Sequence, residues 1–228
     1  MVLKRCSTLS KKILQLKAVN KIYPTPGEGE TLALNNVSMK LNSKKFTMVV
    51  GPMGSGKSTL FRIAGLLESP SSGSVIFDQA DLTNPTPHER LNIIRNEMGF
   101  VPPYPSLLPY LTLLENVMLP MRNNDKSLAQ DMLKNFGLEG ISYPNEISVE
   151  EQQKTSILRA IINQPQILLV DDPTSSLSAT ETTDLIKLLV NLKKDYAVLV
   201  FSDDMKLVKY SDMVFKLNKG VLCEDKCK

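Results

Sequence analysis

"KFTMVVGPMGSGKSTLFRIAGLL", residues 45–67, decides the fold. It opens as a short apolar run ending in glycine, the pattern of a buried strand. From Lys57 onward the apolar residues return at helical spacing. Between the two lies "GPMGSGKST" (51–59), which fits G-x-x-x-x-G-K-[ST] with Gly51, Gly56, Lys57 and Ser58 in place. Pro52, Met53, Gly54 and Ser55 complete the loop and Thr59 closes it. Glycines let backbone N–H groups turn inward around phosphates, and the helix start adds partial positive charge. Lys57 is then placed to bridge the outer phosphates, and the Ser58 hydroxyl to ligate Mg²⁺.

The rest of the chain alternates in the same way. "GSVIFD" (73–78), "QILLVDD" (166–172) and "YAVLVFSDD" (196–204) read as strands, and "DMVFKLNKGVLCED" (212–225) as a hairpin turning at Asn218–Gly220. Strands alternating with helical patterns indicate an α/β fold. A carboxylate closing a central strand suits a Mg²⁺ partner, and Asp171 takes that place. Between about residues 88 and 160 the texture changes. Prolines at 102, 103, 105, 109 and 120 precede helical stretches around 125–136 and 148–163, as in a helical insertion.

Composition narrows the function classes. The 228 residues are 42% hydrophobic and 22% charged, with a net charge of +3. That balance suits a globular core and gives no basic arm for nucleic acid. No apolar run reaches the ~18 residues needed to span a bilayer, so a soluble chain is expected, with membrane contact through a partner. The start "MVLKRCSTLSKK" is basic but lacks the apolar stretch of a secretory signal. Cys6, Cys223 and Cys227 form no staple framework, which suggests a reducing compartment. Cys223 and Cys227 lack a second pair or a nearby histidine, so packed or exposed thiols outweigh a metal site.

Several motifs together resemble the ATP-binding (nucleotide-binding) subunits of ABC transporters. The texture is nearest to the group that serves lipoprotein-releasing, macrolide-type and division-linked membrane complexes. "LKAVNKIY" (16–23), "GFVPPYPSLLPYLTLLENVMLP" (99–120), "YPNEIS" (143–148) and "ILLVDDPTSSLS" (167–178) carry the likeness over nearly the whole chain. It implies one domain over 1–228: a P-loop NTPase (RecA-like) core at 1–90 and 161–228 with a mainly parallel sheet, an N-terminal antiparallel β subdomain, and an inserted α-helical subdomain at about 91–160. It further implies ATP and Mg²⁺ as cofactors and Tyr23 as the aromatic that stacks on adenine. A second ABC subunit and a membrane permease, met through about Pro103–Leu114, follow as partners. The location implied is peripheral, on the cytoplasmic face of the membrane.

Against that pattern the chain departs at most catalytic positions. The family's Q-loop glutamine corresponds to Pro103, which has no side-chain donor or acceptor and a fixed φ. The catalytic glutamate corresponds to Asp172, whose carboxylate is retracted by about 1.5 Å, one C–C bond. It is a weak base candidate, because displacements of about 1 Å can cost ~10²-fold in rate. The switch histidine corresponds to Asp203, and the single histidine, His88, lies in the proline-rich "NPTPHER" loop. The D-loop aspartate corresponds to Ser178. The signature Ser-Gly-Gly-Gln reads Ser148-Val149-Glu150-Glu151, and Ser148-x-x-Glu151 is a capping box by which the helix supplies its own anion.

An ATP-binding subunit with weak or absent hydrolysis is therefore expected. The alternative is an active transporter ATPase working in a heterodimer. A soluble P-loop kinase or GTPase fits poorly, since "NKGV" (218–221) lacks the aspartate a guanine-reading loop needs. A scaffold that binds no nucleotide would leave the phosphate loop unexplained.

Overall fold

The computed structural model describes residues 12–225, apart from residues 26 and 28. Cys6 and Cys227 lie outside the described residues, and Cys223 is an exposed free thiol. Among the described residues, no cluster of three or more His, Cys, Asp or Glu side chains is placed to hold a metal ion, and no helix is long and apolar enough to cross a membrane.

Six strands form the central sheet: β3 (Phe46–Val50), β6 (Met98–Val101), β7 (Ile167–Asp171), β8 (Ala197–Ser202), β9 (Met213–Asn218) and β10 (Val221–Glu224). Their order is β10-β9-β3-β8-β7-β6, parallel throughout except for the β9–β10 hairpin. A second, antiparallel sheet has the order β2-β1-β4-β5, built from β1 (Lys12–Thr25), β2 (Gly29–Asn42), β4 (Ser72–Phe77) and β5 (Ala80–Asp81).

The central strands are apolar at successive positions because both of their faces are covered. Phe46, Met48, Leu168, Val170, Val198 and Val200 pack with the helical side of the molecule. Val49, Ile167, Leu169, Leu199 and Phe201 point the opposite way, toward the antiparallel sheet and α1 (Lys57–Ala64). The helical side comprises α3 (Leu113–Met118), α4 (Lys126–Asn135), α5 (Val149–Ile161) and α6 (Ala179–Leu192). The α/β architecture with its antiparallel sheet and inserted helices is thus as the motifs imply.

Two boundaries differ from the sequence reading. The segment expected to be helical, about 91–160, also contains β6, which pairs with β7 from Met98–Ile167 to Val101–Val170. A four-residue strand is too short for periodicity to reveal. Its position is set by close packing, since a Cβ on Gly99 would run into the Ala160 carbonyl of α5. His88 is not in a loop. It is exposed in the first turn of α2 (Pro87–Glu97), where Thr86 and Glu89 form a capping box and Pro87 takes a first-turn position. Proline suits that place because the helix leaves its N–H unpaired there.

Candidate functional site

The loop between β3 and α1 is held from three sides. Gly56 caps α1 with φ 104°, and a Cβ there would lie 2.6 Å from the Ala33 carbonyl oxygen of β2. Only glycine meets both demands. A Cβ on Gly51 would collide with the Leu217 carbonyl of β9. The turn of the β9–β10 hairpin also reaches the loop: Gly220 N–H donates to Ser55 O at 3.0 Å, and Asn35 N–H donates to Gly220 O at 2.8 Å. The hairpin itself is legible from sequence, but its role as an anchor of the loop is not.

The start of α1 is chemically unlike the other helix starts. Side chains cap α2, α3, α4, α5 and α6: Thr86, Thr112, Asp125, Ser148 and Ser178 respectively. Among these described helices α1 alone has no side-chain cap and no acidic residue in its first turn. Its first N–H groups need an external acceptor. Ser55 Oγ is buried without a hydrogen-bond partner, and Lys57 Nζ donates to the Gly51 and Pro52 carbonyls at 2.6 and 3.0 Å. Uncapped N–H donors, an ammonium and a spare hydroxyl in one loop fit a polyphosphate. Met53 projects from the tip, 95% exposed, and Thr59 is buried beneath.

Asp171 ends β7 with its carboxyl half-buried. Burial, and then the neighbouring Asp172 charge, push its pKa up, while Lys57 and Arg62 pull it down. A site that strains an anion next to a phosphate loop suits a divalent cation, and the Ser58 hydroxyl at the start of α1 is of the type that could serve as a second ligand. Asp172 lies at φ 38°, and its Oδ1 accepts from Ser202 Oγ at 2.9 Å. Its short side chain is therefore tied back to the end of β8. Asp203 follows Ser202 and is exposed, while Asp204 turns away to accept from Lys206 N–H at 2.8 Å.

Pro103 is half-buried, in a turn that α5 holds from behind. Buried Gln153 donates to Pro102 O at 3.3 Å, and Arg159 donates to Ser106 O and Pro105 O, each at 3.0 Å. Sequence reasoning missed both α5 residues. Their polar character on a buried helix face was the available signal. In the segment 103–114, Tyr104 and Tyr110 are 69% and 72% exposed, whereas Leu113 and Leu114 are buried. Leu108 is half-buried, and its N–H is held by buried Asn116. The exposed apolar character of this loop rests on its tyrosines.

At the start of α5 the capping box is complete. Ser148 Oγ accepts from Glu151 N–H at 3.2 Å, and Glu151 Oε2 accepts from Ser148 N–H at 2.9 Å. The Ser148 hydrogen bonds hold the Glu151 carboxylate below its ordinary range. Glu150 pairs with Lys154 at 2.6 Å, so its charge leans along the helix and is partly offset. Val149 is 43% exposed at the same helix end. Ser178 caps α6 by the same device with Glu181.

Comparison with known proteins gives consistent likenesses. A family model described as ABC transporter matches residues 34–175. The lipoprotein-releasing system ATP-binding protein LolD of Rhodopseudomonas palustris is 36% identical over 222 residues, covering 93% of this chain and 95% of that protein. An uncharacterised ABC transporter ATP-binding protein of Methanocaldococcus jannaschii is 34% identical over 221 residues, 93% of this chain and 98% of its own. A dimeric ATP-binding cassette solved in a post-hydrolysis state, bound to ADP and Pi, superposes with a TM-score of 0.84 at 32% identity, covering 95% of this chain and 99% of that one.

Proposed function

The chain belongs to the ABC transporter family as an ATP-binding subunit, and from that premise we propose that it binds ATP·Mg²⁺ but hydrolyses it slowly or not at all. The observation that carries this reading is a contrast between helix ends. The α1 start is free of side-chain caps and begins with Lys57, while the starts of α5 and α6 are filled by their own carboxylates. In the proposed site Gly51–Thr59 cradles the phosphates, Tyr23 stacks on the base, and Ser58 and Asp171 hold Mg²⁺. Bound Mg²⁺ would offset charge on the outer phosphates.

The groups that would activate water are those this chain lacks. Pro103 offers no donor, Asp203 offers a like charge where a donor is needed, and Asp172 is engaged with Ser202. Purified protein, alone and with its membrane partner, should bind ATP with hydrolysis near background. Robust turnover that disappears on Asp172→Asn would sink the proposal.

One observation favours a second reading, an active heterodimer. The Glu150–Lys154 pair lowers the charge that would repel a phosphate approaching α5. Coexpression with a candidate second subunit, followed by Lys57→Ala in each chain separately, distinguishes the two readings.

This subunit would sit peripherally at the cytoplasmic face of the membrane, against an integral-membrane permease. The exposed Tyr104 and Tyr110 support contact near Pro103–Leu114. A groove of about 720 Å³ is lined by Arg95, Phe100, Leu119, Arg122 and Arg159. None of the three arginines is ion-paired among the described residues. A docking segment with apolar side chains and a carboxylate would complement it.

A further inference from the structure

Four side chains from β1, α1 and the loop after α1 meet outside the phosphate loop. Tyr23 Oη donates to Glu68 Oε2 at 2.8 Å, and Arg62 Nη2 donates to Tyr23 Oη at 3.0 Å. Arg62 Nε reaches the same Glu68 oxygen at 3.0 Å. Lys21 Nζ pairs with Glu68 Oε1 at 2.8 Å and donates to Ser69 O at 2.9 Å. The Lys21 ammonium also lies 5.1 Å from the Tyr23 ring centroid. Both Glu68 oxygens are thus engaged, and three donors converge on one carboxylate.

Burial alone would raise the Glu68 pKa. The hydrogen bonds from Lys21, Tyr23 and Arg62 prevail and lower it, so the group stays ionised and keeps its donors. The arrangement fixes the ring in two ways. Its hydroxyl is held by an acceptor and a donor, which sets the ring plane. One face is met by a cation, so a π partner would stack on the other. Arg62 stands four residues after Ser58 on α1, along the same helix face. The ring is therefore tied to the helix that begins the phosphate loop.

We propose that Glu68 is a positioning residue for the base: it locks the Tyr23 ring at a fixed place relative to α1, so that base and phosphates are received by one preorganised frame. The proposal rests on the reading of Tyr23 as the stacking aromatic. Preorganisation of this kind strengthens binding by reducing what must be ordered on association. The isolated phosphate chain has no base to position, so it should be indifferent to Glu68.

The test is calorimetric titration of the full chain with ATP·Mg²⁺ and, separately, inorganic tripolyphosphate·Mg²⁺. Glu68→Ala and Tyr23→Phe should each weaken ATP binding about three- to tenfold, the range of one ordinary hydrogen bond. Both should leave tripolyphosphate binding within about twofold of the parent, in keeping with an unaltered phosphate loop. The double variant should bind ATP no more weakly than Glu68→Ala. Equal losses for both probes would make Glu68 a merely structural residue and overturn the proposal. Parental ATP affinity in Glu68→Ala and Tyr23→Phe, with weakened binding in Tyr23→Ala, would overturn it while leaving the stacking reading intact. Parental affinity in Tyr23→Ala would overturn the stacking reading and the proposal together. Should Glu68→Ala fail to fold, Tyr23→Phe carries the same test.

Discussion

Asp171 and Asp172 are neighbours with opposite constraints. The Asp171 carboxyl is pushed up by burial and then by the Asp172 charge, so the native state holds its proton more tightly than the unfolded chain does. Stability then falls as pH rises from the ordinary aspartate range through the folded-state value. Asp171→Asn should raise the melting temperature of the nucleotide-free chain at pH 7. The gain should vanish below about pH 3, where the parent carboxyl is protonated as well. The same variant should lose the extra stabilisation that Mg²⁺ adds to ATP. Thermal melts across pH, with and without Mg²⁺, check both outcomes.

Asp172 has its oxygen on Ser202 and is one methylene short. Asp172→Glu alone should give much less than the ~10²-fold or more that a well-placed general base supplies. Pro103 and Asp203 would still provide no donor. Adding Pro103→Gln and Asp203→His should raise turnover by more than the separate changes combined, because such residues act as a unit. Phosphate release under saturating ATP measures this. A large gain from Asp172→Glu alone would confine the proposed defect to one side chain.

At the scale of elements, the helix starts divide into self-capped and open. Ser148→Ala removes the hydroxyl that accepts from Glu151 N–H. The expected cost is about 1 kcal/mol, or roughly 2–4 °C in melting temperature for a chain of this size. Val149→Gly with Glu150→Gly clears side chains from the same helix end and should improve ATP-driven dimer closure, read by size-exclusion chromatography. The pairing of Glu150 with Lys154 moves most of that expected gain onto Val149, since the charge is already partly offset. Val149→Gly alone should therefore recover most of the effect of the double change.

For the molecule as a whole, the loop between β3 and α1 is braced by segments from both ends of the chain. Gly220 has φ 77°, and a Cβ there would lie 2.8 Å from the Ala33 carbonyl oxygen. Gly220→Ala should weaken ATP binding without touching the loop sequence. The surface proposed to meet the permease gives a complementary test. Tyr104→Ser with Tyr110→Ser should reduce co-purification with the permease while leaving the melting temperature within about 1–2 °C, as exposed substitutions generally do. Leu108→Asp is a less clean probe, because Leu108 is half-buried over Asn116.

The sequence by itself determined the strands β3, β7 and β8, the loop between β3 and α1, the β9–β10 hairpin and the Ser148 cap. Each depends on residues within a few positions of one another: an apolar run, a glycine pattern, a capping pair. Tertiary structure decided the rest. β6 is a strand because it fits between β7 and α5, and its four residues carry no period of their own. The exposure of Tyr104 and Tyr110 beside buried Leu113 was settled by which side of the loop met the helices. Glu68, Tyr23, Arg62 and Lys21 share no motif, and the packing of β1 against α1 and the loop after it brings their charges together. Local chemistry is written in neighbouring residues, whereas a network across elements exists only once burial of the two core faces has fixed where those elements lie.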